Sequence, residues 1–230
     1  MRDLRTYVLE GFKLGKNKVK KEEDFVDLGL PSRTLWCKYN VGATCASTAK
    51  SWYGDYFMWG DTEPATDKKC NWENYKYANG AYNKLTKYCP VYKINYWGGK
   101  GKPDNKLVLD EEDDMARANM GDDWKMPTRE QLQELIKNTT SKSVKKYNNI
   151  RGLNGLVLTS KINNNTLFIP ATGYRDGSSL FYVGSRIDIW TSSLTEDAPY
   201  NACNMYSDNR YIHTYDFNRH YGFSVRGVMV

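Results

Sequence analysis

The sequence predicts an α+β domain, two helices set among short antiparallel strands and long loops. Three observations predict it. One stretch joins a helix-start signal at Thr128 to an apolar face. Short apolar runs elsewhere, bounded by Gly, Pro and Asn, read as strands. Aromatics make up 14% of the 230 residues, with 18 Tyr and 7 Trp, which excludes a disordered chain and favours rings packed edge to face among loops.

Phe25–Pro31 and Thr34–Cys37 read as strands about a Pro31-Ser32 turn, and Tyr53–Gly60 as an aromatic-rich strand. Over 61–106 periodicity disappears. The Trp and Tyr residues there (Trp72, Tyr75, Tyr77, Tyr88 and others) predict a long segment packed by its own rings. A first helix is expected over Asp110–Asn119, opened by five acids that suit its exposed N–H groups and stopped near Gly121. The acids invite calcium, but contiguous acids on a helix point in several directions, so no metal site is expected. The second helix starts with a capping box, Thr128 to Gln131, buries Leu132, Leu135 and Ile136, and ends near Asn138. Gly155–Ser160 and Thr166–Pro170 form a hairpin across Asn163-Asn164-Asn165. After a turn at Gly173–Gly177 and a strand at Leu180–Gly184, the closing strands are Ile189–Ser193, Ala202–Ser207, Tyr211–Tyr215 and Gly222–Val228.

The net charge is +6, but Met1–Lys21 alone carries +5, so the rest is nearly neutral at +1. Residues 1–24 therefore read as a charged arm, with a short strand at Thr6–Leu9, and 25–230 as the domain. A basic stripe for phosphates is missing from the domain, which argues against nucleic acid. Mean hydropathy is −0.72 and no apolar run reaches the roughly 20 residues a bilayer needs, which argues against membrane insertion. MRDLRTYVLEGFKLGK puts charges where a signal peptide needs apolar residues. Five cysteines without a C-x-x-C pair predict neither a zinc site nor a complete disulfide framework.

Residues 187–220 have their own composition. Lys, Glu, Gln, Met and Trp fill 46 of the first 196 positions, so thirty residues should hold roughly seven. Asp197–Arg226 holds only Met205. Those five types are the ones an Asn codon ending in C cannot become when its two adenines are replaced. The remaining Tyr, Asn, Asp, Ser and Arg are also the chemistry of an adaptable binding surface.

The motifs Val26–Ser32, Thr34–Trp36, Asn40–Ala43, Tyr53–Phe57, Trp59-Gly60, Trp124–Thr128, Pro170–Gly177 and Gly222–Arg226, in this order, resemble the Fibrobacter succinogenes major paralogous domain over Phe25–Val230. The resemblance implies a C-type lectin-like fold of the formylglycine-generating-enzyme subtype. Some proteins of that fold are variable proteins of diversity-generating retroelements, whose adenine-directed mutagenesis would leave the codon signature above. It implies diversified, ligand-binding positions at Ile187, Asp188, Tyr200, Asn201, Cys203, Tyr206, Asp208, Arg210, Tyr211, His213, Tyr215, Phe217 and His220, with Trp190, Gly222, Phe223, Val225 and Arg226 as scaffold. The expected partner is a protein or glycan on a cell surface, and the expected place a phage tail or a cell surface.

Enzyme readings are weaker. The copper cysteines of formylglycine-generating enzymes need a pair, and only Cys203 lies beyond Cys89. A His-based iron site has only His213 and His220 to draw on. Ser192 and Ser193 lack a nucleophile elbow and read as packed strand residues. No catalytic residue and no cofactor are expected. A fixed-specificity adhesin of the same fold is the alternative.

Overall fold

The last strand closes the domain against its first ones. The computed structural model describes residues 24–66, 68–208 and 211–230; the arm up to residue 23, with its expected strand, and Arg210 lie outside them. In chain order come β1 (Phe25–Asp27), β2 (Leu35–Asn40), α1 (Lys50–Tyr53), α2 (Met115–Met120), α3 (Arg129–Asn138), β3 (Thr139–Val144), β4 (Gly155–Ser160) and β5 (Thr166–Pro170). There follow β6 (Tyr174–Asp176), β7 (Ser179–Phe181), β8 (Ile187–Leu194), β9 (Asn201–Ser207), β10 (His213–Asn218) and β11 (Arg226–Met229). They form four small antiparallel sheets, ordered β1-β2-β11, β3-β4-β5, β6-β7 and β10-β9-β8. The molecule is thus a mixed α/β domain of small antiparallel sheets with few helices.

Local signals hold where they are strong. The Thr128 hydroxyl accepts from the Gln131 N–H, and the Gln131 side chain accepts from the Thr128 N–H at 2.9 Å, closing the expected capping box of α3. Leu132 and Leu135 are fully buried, and Ile136 packs beside them. The expected β4–β5 hairpin forms, with Thr159 opposite Thr166.

Several elements differ from expectation: α1, β3 and β6 are unexpected, and two expected elements do not form as read. The acids do not open a helix: residues 111–113 make a single tight turn, and α2 starts only after Asp114, which caps the Arg117 N–H at 3.0 Å. The cause is Asp113, drawn inward to Lys76, Lys87, Tyr77 and Tyr88. Tyr53–Gly60 is no strand either. The α1 turn ends at Tyr53, and Phe57 exchanges backbone hydrogen bonds with Phe223 at 2.9 and 3.1 Å as an isolated bridge.

The bridging segment 222–224 ties the sheets together. Its backbone bonds to Arg175, Phe57 and Trp190 at once. Gly222 is required there, since a Cβ would sit 2.8 Å from the Cys70 Sγ and 2.9 Å from the Arg175 Cβ. One core gathers Phe57, Trp59, Trp190 and Phe223; a second places Leu132 and Leu135 of α3 against Ile187, Ile189 and Met205. The long segment does pack by its own rings, with Tyr75, Tyr77 and Tyr88 buried in the first core. Burial of each such side chain contributes about 1.5–3 kcal/mol. Among the described residues no helix is long and apolar enough to cross a membrane.

Candidate ligand-binding face

In the sheet β8-β9-β10, β8 is buried throughout and β9 mostly so, and solvent is met mainly along β10 and at Tyr206; register decides which residue goes where. Asp188 lies opposite Tyr206, which lies opposite His213; Trp190 lies opposite Asn204, which lies opposite Tyr215. Phe217 pairs with Ala202 on this same side. Here Tyr206, Tyr215 and Phe217 form a ring cluster with centroids 5.0–6.4 Å apart. His213 and Tyr215 are exposed, and Tyr206 and Phe217 are half-buried. The other side carries Ile187, Ile189, Met205 and Cys203, all buried.

The expected set therefore divides. Ile187 and Cys203 are corrections: both have no exposed surface, because their register turns them into the core beneath the sheet. Burial pushes the Cys203 thiol up to about 11, so it is inert as well as hidden. Asn201 shares their side and is half-buried. Asp188 faces the right way but is fully buried under Arg186. Asp208 and Tyr211 are exposed beyond the ends of β9 and β10, Tyr211 beside a groove of about 300 Å³ next to Ile136 and Thr139. Tyr200 packs instead with Tyr82 and Tyr96 at 5.5 and 5.4 Å. Arg210 lies outside the described residues.

His220 is a further correction. It is only 8% exposed, wedged between Trp72 at 4.9 Å and Tyr221 at 4.5 Å. Burial lowers its pKa from the ordinary 6.5 to about 4, against a weak upward pull from Asp176. Between these values the unfolded chain binds a proton that the folded one refuses, so stability falls as pH drops from 6.5 to 4. His220→Phe is expected to remove up to about 3 kcal/mol of that loss, read as a flatter Tm against pH. An unchanged slope would mean that His220 titrates freely.

Sequence reasoning missed the neighbouring hairpin. β6 and β7 turn at Gly177, and Tyr174 stacks on Phe181 at 5.6 Å and on Tyr182 at 6.0 Å. Leu180, Phe181, Tyr182 and Val183 are all exposed. The hairpin closes tightly because Gly173, at φ 63°, lets the Phe181 carbonyl approach where a Cβ would stand. Arg186 joins the two ring groups, its Cζ 4.7 Å from Tyr174, 4.8 Å from Tyr206 and 4.7 Å from Phe217. The available signal was Leu180–Val183 itself, an apolar run with no alternation on a hairpin too short to bury both of its faces.

The acids at 110–114 hold an internal cation. The Lys87 ammonium lies 2.7 Å from Asp110, 3.2 Å from Glu112 and 2.5 Å from Asp113, the three carboxylates close enough together to hold a metal ion. Burial opposes ionisation of Asp113, but the donors Lys87, Tyr77, Tyr88 and Lys76 pull its pKa down to about 2. All five cysteines are free thiols. Comparison with family models, with characterised proteins and with solved structures finds no match for the chain.

Proposed function

We propose that the chain is a ligand-binding domain of C-type lectin-like fold, acting by recognition and not by catalysis, with the outward face of β8-β9-β10 as its contact surface. The observation that carries this reading is the alternation on β10. His213 and Tyr215 are exposed on an edge strand, with Thr214 and Asp216 between them half-buried, so the two can change without moving the fold. The depletion of five residue types over the same stretch supports retroelement diversification. The exposed positions Asp208, Tyr211, His213 and Tyr215, with the half-buried Tyr206 and Phe217, would then be the variable ones. A surface protein or glycan is the partner class, met from a phage tail or a cell surface.

The fixed-specificity adhesin is favoured by one observation. Ile187, Asp188 and Cys203 are built into the core, where random replacement would be costly. Sequencing the DNA beside the gene separates the two readings. A near-copy of the segment with Asn codons at the exposed positions, next to a reverse transcriptase gene, supports diversification; a flank with neither sinks it.

Tolerance of the face is testable on the protein alone. Replacing Tyr211, His213 and Tyr215 together by Ser is expected to lower Tm by no more than about 5 °C, since exposed substitutions cost about 0.5 kcal/mol each. A fall of twice that would place these side chains in the packing and remove them from a contact surface.

A further inference from the structure

Arg186 lies at the floor of the aromatic face with part of its hydrogen-bonding capacity unused. Rings of Tyr174, Tyr206 and Phe217 surround the guanidinium at 4.7–4.8 Å, and Tyr182 stands 5.8 Å away. Beneath it Nη2 donates to the Asp188 Oδ1 at 2.9 Å. Nε lies 2.7 Å from Oδ2, but its N–H is not directed there. Nη1 makes no hydrogen bond to a described residue, and the side chain keeps 15% of its surface exposed.

We propose that Arg186 is the anchor of this face for a ligand carboxylate, bound by the open edge of the guanidinium while the surrounding rings hold the flat body that bears it. The proposal rests on the reading of this face as a contact surface. Three arguments select a carboxylate. The space between the rings is already filled by a cation, so a cationic ligand would have to displace Arg186 from both the rings and Asp188. An anion needs only the N–H groups that remain, and guanidinium–carboxylate bonds are directional and charge-assisted. The counter-ion beneath is also weak: burial pushes the Asp188 carboxyl up to about 7 against Arg186 and Asn204, leaving the guanidinium with surplus positive charge near neutrality.

Benzoate is the probe and benzamide its neutral isostere, titrated at pH 7 into the whole protein and followed by calorimetry and by the arginine side-chain NMR signals. Benzoate is expected to bind at least about tenfold more tightly than benzamide. Asp188→Asn keeps the shape beneath Arg186 but removes the competing charge, and is expected to tighten benzoate binding about fivefold. Arg186→Gln is expected to weaken it at least about tenfold. Should that variant not fold, the gain in Asp188→Asn carries the test, because a structural defect would not improve affinity. Equal binding of benzamide, or no gain in Asp188→Asn, overturns the proposal. A parallel library randomised at His213 and Tyr215 tells the two ideas apart. Selected binders without benzoate binding remove the anchor alone, and an empty selection removes the contact surface with it.

Discussion

Trp190→Ala lowers the stability of the domain by about 4 kcal/mol, a loss of about 10 °C in Tm. Trp190 has no exposed surface, its ring stacks on Phe223 at 4.2 Å, and its indole N–H donates to the Phe57 carbonyl at 2.8 Å. Truncation opens a large cavity at the junction of β8, the Phe57 segment and the Phe223 bridge, and leaves the Phe57 carbonyl with only the Phe223 N–H of its two donors. Trp190→Phe keeps most of the stack and loses the donor, so it should cost about half as much. Urea unfolding measures both. A loss below 1 kcal/mol for the alanine variant would mean that the site collapses freely, and would contradict its place at the junction.

The residues that locate Trp190 were legible because several independent signals agreed: an apolar strand, small neighbours, and a final Gly222–Arg226 run of the same kind. The α3 helix was legible for a different reason, since cap, face and end all lie within ten residues of chain. What sequence could not show depends on partners far away. Asp110–Asn119 has the acids of a helix start, yet Asp113 answers to Tyr77 and Tyr88 more than twenty residues before it, and the helix begins later. The order of strands in the sheets, with β11 beside β2, follows from nothing local.

The face was half legible for a geometric reason. Side chains along a strand alternate, so Cys203 and Tyr206, an odd number of residues apart on β9, cannot share a side, and neither can Ile187 and Asp188. Composition marked the segment correctly as unusual but carried no parity. Pairing supplies it: Tyr206 opposite His213 fixes which of the expected residues on β9 and β10 share a side, and on β8 even that side is buried. Arg186 and Tyr174 lay outside the unusual stretch, and no property of their own marked them. They belong to the face only because the β6–β7 hairpin folds against it.

Arg226→Met is expected to cost about 4–5 kcal/mol, although the replacement is apolar and similar in length. Arg226 is 1% exposed and has no carboxylate partner among the described residues. Its Nε and Nη2 donate to the Asn40 side-chain oxygen at 2.9 and 2.7 Å, and Nη1 to the carbonyls of Phe168, Lys38 and Cys37 at 2.9, 3.2 and 3.3 Å. These acceptors belong to β2, to the Cys37–Lys38 backbone within it, and to β5, so one side chain joins two sheets. Burial lowers the guanidinium pKa to about 10, which leaves it charged at neutral pH, held by oxygen dipoles alone. Methionine would leave those oxygens buried and unpaired, and that desolvation cost exceeds what its apolar contacts return. Arg226→Lys should recover less than half of the loss, because an ammonium cannot reach Asn40 and Phe168 from the same fork. Denaturant midpoints of the two variants decide it. A lysine variant as stable as the parent would show that charge, and not the planar fork, is what joins the sheets.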